Sequence, residues 1–305
     1  MAATCKGLNF TCNGRHSAAC RPYLFPPHSP PVGVQHTQLR PNFFSSTCPN
    51  LHSIIENAVW TAVKNDLRLS ASMICLFFHD CFVNGCDASV LLVDTATFQG
   101  EQTDIIELIK STVEESCNGI VSCADILALA TRDGVVLSGG PSWTVMLGRR
   151  DATTANKITA TEDLPFSRFN LSLLITNFAK KGLNLRELVA LSGAHTVGFA
   201  TCRAFRNRIY NDTNIDTNFA NSDKAICPPF PPEGDGNLSP LDVNTWTVFD
   251  NEYYKNLVSL RGLLHSDQEL FNNGDADPIV QSYLGSISPL TGSSGEIRRV
   301  CSRVN

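Results

Sequence analysis

Residues 78–89 read FHDCFVNGCDAS and hold the most informative pattern in the chain. The apolar run 71–82 leads into this stretch with the spacing of a buried α-helix. Beyond it, the turn at 83–85 can present backbone carbonyls, and hard oxygen ligands are available from Asp80, Asp87 and Ser89. Calcium takes about six to eight oxygen ligands. The stretch therefore indicates either a calcium loop or a polar turn that ends a helix.

Two histidines stand at helix ends. His79 lies directly before the predicted loop, and His195 lies in a second glycine-broken junction, LSGAHT at 191–196. A lone histidine of this kind is most often a satisfied core residue. Two of them could also sandwich a planar cofactor, and their spacing leaves both interpretations open.

The rest of the chain after residue 41 has mainly helical periodicity. Ser122 is placed to cap one helix, with Asp125 three residues later. A Pro- and Gly-rich stretch at 226–241 predicts an irregular crossover. The expected architecture is a single all-α domain without repeats, with helices near 54–63, 71–82, 105–113, 124–130, 171–180, 185–191, 196–210, 251–260 and 268–271.

Composition excludes several classes of protein. With 43% hydrophobic and 17% charged residues the chain is ordinary globular material, and its net charge of −5 excludes a nucleic-acid footprint. No apolar run reaches the length of a membrane span. The twelve cysteines are scattered, without paired CxxC spacing, which argues against zinc and for disulfides made in an oxidising compartment. Four Asn-x-Ser/Thr triplets agree with that compartment.

The N-terminal segment conflicts with a simple secretory chain. Residues 1–37 have no apolar core of a signal peptide and no acidic residue, and they are rich in Pro, His and Cys. We interpret 1–37 as an atypical leader, either disordered or a transit peptide, and 38–305 as the folded domain.

Two segments identify a family. Residues 77–92 resemble the distal signature of plant secretory (class III) haem peroxidases, and 187–202 resemble their proximal signature. Further similarity lies at 139–151, 242–254, 262–271 and 288–305. The resemblance implies a single-domain, all-α haem peroxidase fold with haem b between distal and proximal helices. It also implies a secreted (apoplastic) or vacuolar monomer that reduces hydrogen peroxide and oxidises phenolic or other aromatic donors.

The resemblance also implies roles for individual residues. His195 would be the axial ligand of the haem iron, with Asp267 hydrogen-bonded to its other ring nitrogen. His79 would be the distal acid–base residue, and Pro165 would line the exposed haem edge where donors bind.

Two calcium ions and four disulfides are implied in the same way. The distal calcium would be held by Asp80, Val83, Gly85, Asp87 and Ser89, with support from Glu101. The proximal calcium would use Thr196, Asp242, Thr245, Val248 and Asp250. The implied disulfides are Cys48–Cys117, Cys81–Cys86, Cys123–Cys301 and Cys202–Cys227.

This chain departs from the family pattern around the distal histidine. Cys75 stands where the family has an arginine, one helical turn before His79, so its side chain should share the face of His79. The segment after Glu101 that carries an orienting asparagine is missing, as is a helix-length segment at 283–285. Two other readings therefore stay open: a haem- and calcium-binding relative with little turnover, and a disulfide-stapled calcium-binding protein without haem.

Overall fold

The computed structural model describes residues 39–92 and 104–285, and this part of the chain is built mainly from helices. The predicted leader 1–37 lies outside it, so the proposed division at residue 38 stays a prediction. The α-helices are α1 Leu51–Asn65, α2 Arg68–Val83, α3 Asp104–Ser116, α4 Cys123–Leu137, α5 Lys157–Asp163, α6 Leu171–Lys180, α7 Leu185–Ser192, α8 Cys202–Asn211, α9 Thr217–Ile226, α10 Glu252–Val258, α11 His265–Gln268 and α12 Asp277–Ser282. Short 3₁₀ turns occupy Ser89–Leu91 and Gly193–Thr196.

Helix α4 lies at the centre of the first half of the molecule. Its start is fixed as the sequence predicts, because the Ser122 hydroxyl accepts the backbone N–H of Asp125. The Asp151 carboxylate accepts two further free N–H groups of the first turn, from Cys123 and Ala124, each at 2.9 Å. Almost every residue of α4 is buried, and helices α1, α2 and α3 pack around it.

The core consists of three hydrophobic clusters. Members of the first, between α1 and α4, include Leu51, Ile55, Met73, Leu76, Ile106, Ile109, Ile126 and Leu127. The second contains Phe82, Leu174, Phe178, Leu188, Tyr253, Tyr254, Leu257 and Leu270. The third contains Ala200, Cys202, Phe205, Ile209, Phe219, Leu241, Leu263 and Leu264. Helix α2 joins the first two clusters, because its last turn contributes Phe82 to the second.

The helix predicted over 196–210 is wrong in its first half. Strand β1, Phe199–Thr201, pairs there with β2, Leu238–Pro240, in an antiparallel ribbon with Ala200 opposite Ser239. Gly198 breaks the helical path with φ at +99°, a conformation that favours glycine. A Cβ on Gly198 would lie 2.8 Å from Cβ of Ala71. This close approach seats the segment after His195 against the start of α2, the helix of His79.

Helix α9 was not predicted, and α11 begins three residues before the predicted helix at 268. A buried arginine contacts α11 through Gln268. The Arg208 side chain is 1% exposed and donates to the Gly262 carbonyl at 2.7 Å and to Asp212 at 3.0 Å. It therefore ties α8 to the turn that precedes α11.

Candidate active site

The distal side of the site is formed by the last two turns of α2. His79 is 8% exposed, and its ring meets the Phe78 ring at a centroid distance of 6.2 Å. As the i,i+4 spacing predicts, the Cys75 sulfur lies 3.9 Å from Nε2 of His79. The Cys75 sulfur is disulfide-bonded and carries no charge. The side chain beside His79 therefore supplies no cation.

The loop after His79 contains a buried carboxylate with one unpartnered oxygen. Oδ2 of Asp80 accepts the Ala88 backbone N–H at 2.9 Å, while its buried Oδ1 has no partner among the described residues. Burial, together with the nearby charge of Asp87, raises the pKa of Asp80 to about 7. Ala88 adopts φ of +58°, which is strained for a residue with a Cβ. An orphaned buried carboxylate oxygen is the group that a bound cation would satisfy.

The other predicted distal ligands follow Asp80 along the chain. Gly85 takes φ of +99°, which turns the chain back, and Asp87 Oδ1 accepts the Ser89 N–H at 3.0 Å. The Val83 carbonyl accepts a hydrogen bond from the Lys181 ammonium at 2.7 Å. A carbonyl oxygen has two lone pairs, so this hydrogen bond leaves one available for a metal.

The proximal side is centred on a buried histidine–carboxylate pair. His195 Nδ1 lies 2.9 Å from Asp267 Oδ1, and the two residues are 8% and 2% exposed. Burial alone would raise the pKa of Asp267, yet the charge and hydrogen bond of His195 hold it below its usual value. An ionised carboxylate only accepts, so Nδ1 of His195 is the donor. In the neutral form of the imidazole, Nε2 then carries the lone pair that a metal would use. This tautomer fits a metal ligand, the role that the resemblance assigns to His195.

Oxygen atoms also converge directly after His195. The Thr196 hydroxyl lies 3.3 Å from Oδ2 of Asp242 and 3.0 Å from Oδ1 of Asp250. Burial raises the pKa of Asp242, although N–H donors from Asn244, Thr245 and Asn256 reach its Oδ1. The structure thus brings together the predicted ligands Thr196, Asp242 and Asp250. Thr245 lies next to Asp242, and the Val248 side chain is exposed, which leaves only its backbone for a ligand role.

Neither predicted calcium site contains more than two carboxylates among the residues described. Accordingly, 39–92 and 104–285 hold no group of three or more His, Cys, Asp or Glu side chains placed for a metal. The donor sets consist of carboxylate, hydroxyl and carbonyl oxygens, the ligands that Ca²⁺ prefers. The orphaned Asp80 oxygen and the Thr196–Asp242–Asp250 group both fit such an ion.

The structure contains three of the four implied disulfides, and some other predicted residues lie outside the described ranges. Disulfides join Cys48 to Cys117, Cys81 to Cys86 and Cys202 to Cys227, the pairs that the resemblance implies. Cys123 is buried at the start of α4, whereas its implied partner Cys301 and the ligand Glu101 lie outside the described residues. Pro165 lies two residues after the end of α5 and is buried, and its role at the haem edge stays a prediction.

Comparison with known proteins decides the family. A family model described as Peroxidase matches residues 55–286. The chain belongs to the peroxidase family. It is therefore an oxidoreductase that acts on hydrogen peroxide, and its family implies haem. Its helix-rich architecture agrees with the predicted peroxidase fold.

Plant peroxidases resemble this peroxidase over nearly its whole length. It is 50% identical over 302 residues to Peroxidase 4 of Vitis vinifera, covering 90% of this chain and 94% of the relative. Peroxidase 70 of Zea mays is 52% identical over 302 residues, with the same coverage. Peroxidase P7 of Brassica rapa subsp. rapa is 51% identical over 296 residues, covering 88% of this chain and 100% of the relative. The predicted membership of the plant secretory peroxidases is confirmed. No helix in the described ranges is long and apolar enough to cross a membrane.

Two polar residues at the peroxidase's site escaped the sequence analysis. Tyr253 is 1% exposed and donates its hydroxyl to Asp267 Oδ1 at 3.0 Å. Burial, and then the Asp267 charge, raises the pKa of Tyr253 well above its usual value, so the hydroxyl keeps its proton. Lys181 bridges the Val83 carbonyl and the Asp163 carboxylate. The contacts span 14 residues for Tyr253 and up to 98 for Lys181, beyond the reach of helical or strand periodicity.

Proposed function

We propose that this peroxidase binds haem b through Nε2 of His195 and oxidises phenolic or other small aromatic donors with hydrogen peroxide. The observation that carries the proposal is the buried hydrogen bond between His195 Nδ1 and Asp267 at 2.9 Å. A carboxylate on the far nitrogen fixes the tautomer of a ligating histidine and raises its basicity. When bound, the haem iron would supply the electron transfer between peroxide and donor.

His79 would move the proton on the distal side. Its Nε2 faces the same side of α2 as Cys75, and the side chain is almost fully buried. A neutral imidazole there can take a proton from one oxygen of hydrogen peroxide and return it to the departing oxygen. The Phe78 ring beside it limits where the imidazole can turn. Burial also keeps bulk water from competing for the same proton.

Two calcium ions would hold the two histidine segments. Asp80, with its orphaned oxygen, directly follows His79, and the buried Thr196 directly follows His195. Val83, Gly85, Asp87 and Ser89 would complete the first site, with Glu101 in support, and Asp242, Thr245, Val248 and Asp250 the second. The first ion would satisfy the buried Asp80 oxygen, which otherwise has no partner among the described residues.

A second candidate function is a haem- and calcium-binding relative with weak turnover. The uncharged Cys75 sulfur beside His79 favours it. Breaking the peroxide bond develops negative charge on the departing oxygen, which a fixed cation would stabilise. Here that stabilisation would be missing, so the peroxide step would be slow.

Donor access, assembly and location complete the proposal. Donors would approach near Pro165, which lies two residues after the end of α5. We expect a monomer that is secreted to the apoplast or kept in the vacuole, because the three disulfides seen here form in oxidising compartments.

The decisive test is spectroscopic. The purified protein should show a Soret band that His195→Ala abolishes, while His52→Ala, which alters an exposed histidine, retains it. Steady-state oxidation of guaiacol by hydrogen peroxide then separates active from weak turnover. A Soret band that survives in His195→Ala would refute the ligand assignment, and a parent protein without the band would support the reading as a calcium-binding protein without haem.

A further inference from the structure

The carboxylate behind His195 has a second buried hydrogen-bond donor. Asp267 Oδ1 accepts from His195 Nδ1 at 2.9 Å and from the Tyr253 hydroxyl at 3.0 Å. All three residues are more than nine-tenths buried. The rings of Tyr253 and His195 meet edge to face with centroids 6.2 Å apart. One carboxylate oxygen is thus shared between two donors in a dry environment.

Sharing changes what the carboxylate does to the histidine. Each donor withdraws charge from Oδ1, so a hydrogen bond from Tyr253 leaves Asp267 a weaker acceptor for the His195 N–H. With a weaker acceptor the imidazole keeps more of its own proton and donates less charge through Nε2. Tyr253 lies on α10 within the second hydrophobic cluster, and the centroid of its ring is 5.1 Å from that of Tyr254. This packing holds the phenol in place.

We propose that Tyr253 is a positioning residue that limits, through Asp267, how far His195 is pushed towards imidazolate. The proposal rests on the proposed ligation of haem iron by His195. The proximal unit is then a triad of His195, Asp267 and Tyr253. Without the tyrosine, the histidine would donate more electron density to the iron. The iron of this chain would then keep a higher reduction potential than the bare pair would give it.

The test compares two substitutions on one helix. Tyr253→Phe deletes the hydroxyl on Asp267. Tyr254→Phe is the matched control, because Tyr254 is 7% exposed and its hydroxyl donates to the Val189 carbonyl at 3.2 Å, not to Asp267. Two properties of the haem-loaded proteins are measured: the iron–histidine stretching frequency of the ferrous form by resonance Raman spectroscopy, and the midpoint potential of the iron.

Tyr253→Phe should raise the stretching frequency and lower the midpoint potential, and Tyr254→Phe should leave both at the parent values. Because Tyr253 acts through Asp267, adding Tyr253→Phe to Asp267→Asn should change neither property further. Unchanged values in Tyr253→Phe, equal shifts in both tyrosine variants, or a full shift in the Asp267→Asn background would overturn the proposal. A parent with haem whose Soret band survives His195→Ala refutes the ligation itself, which separates that failure from this one.

Discussion

Cys75 occupies the position one turn before His79, with its sulfur 3.9 Å from Nε2 of that histidine. A guanidinium at this position would place a positive charge beside the proposed acid–base residue His79. Neither a thiol nor a disulfide sulfur can provide positive charge there. The expected cost of one missing preorganised group is roughly 10²–10³ in rate.

Cys75→Arg should therefore accelerate the reaction with hydrogen peroxide by roughly 10²-fold. Stopped-flow absorbance at the Soret band measures the rate. Cys75→Met is the matched control, because it removes the same cysteine and adds a long side chain without charge. Equal rates in the two variants would show that charge at position 75 does not limit the reaction.

Asp223 is a buried carboxyl that is not among the ligands of either proposed calcium site. It is 3% exposed, accepts the Ser239 hydroxyl, and its Oδ2 has no partner among the described residues. Burial raises its pKa above the value of an unfolded chain. The folded state therefore favours the protonated form. The stability from this group is fully present below the unfolded pKa and is lost as the pH rises through the folded pKa.

Asp223→Asn should raise the melting temperature at pH 7 to 8, because the amide stays neutral, and this advantage should shrink at acidic pH. Thermal unfolding followed by circular dichroism across the pH range measures the effect. The exposed Asp275→Asn is the control and should give no pH-dependent gain. A constant difference between parent and Asp223→Asn at every pH would contradict the assignment.

Among the elements, the end of α6 connects the distal loop to the segment that carries Pro165. The Lys181 ammonium donates to the Val83 carbonyl, where α2 ends, and pairs with Asp163, where α5 ends. Asn177 of α6 also donates to the Asp163 carbonyl at 2.7 Å. The Lys181 ammonium lies 5.9 Å from the centre of the Phe82 ring. Two functional segments thus share one cation.

Lys181→Met keeps the apolar stem but deletes these charged hydrogen bonds, so the free energy of unfolding should fall by about 1.5–3 kcal/mol. The KM for guaiacol should rise as the segment around Pro165 loosens. The neighbouring, exposed Lys180→Met is the control. Urea unfolding and steady-state kinetics measure the two effects. If both lysine variants behave alike, the contacts of Lys181 do not hold the donor edge.

The sequence predicted the long helices but not their interruptions. Helix α6 begins and ends where the periodicity places it, because its apolar face is regular. The β1–β2 ribbon has three residues in each strand. A strand this short cannot show the alternation of apolar and polar residues by which strands are predicted. The predicted helix through Gly198 fails because the chain there takes a positive φ and packs closely against Cβ of Ala71, 127 residues earlier. Family motifs could identify His79, His195 and Asp267, whereas Tyr253 and Lys181 act through distant partners.

Across the whole molecule, disulfides link separate segments of the chain on the distal and the proximal side. The Cys48–Cys117 disulfide closes a loop of 69 residues around the distal half. Such a loop removes unfolded-state entropy worth about 4 kcal/mol in the chain-entropy model. The Cys202–Cys227 disulfide closes 25 residues on the proximal side, joining α8 to the end of α9. His79 lies inside the first loop and His195 lies seven residues before Cys202, and calcium would act beside each histidine.

Calcium removal should therefore lower the stability of the whole fold. An ion that binds only the folded state stabilises it by RT ln(1 + [L]/Kd), about 2.7 kcal/mol per site at a calcium concentration 100 times Kd. Prolonged chelator treatment should lower the melting temperature by several degrees, and elemental analysis should find the released calcium. Restoring calcium should reverse the change.

A pair of variants can assign this effect to the proximal site. Asp242→Asn removes a fully buried carboxylate that faces Thr196, so it should lose about half of the calcium-dependent gain. Asp223→Asn should retain the whole gain, because that buried carboxyl belongs to neither site. Calcium loss should also broaden the iron–histidine Raman band, since Thr196 adjoins His195 and a loosened Thr196 would free the imidazole. Freshly purified protein without bound calcium, and with a melting temperature indifferent to chelator, would refute both sites.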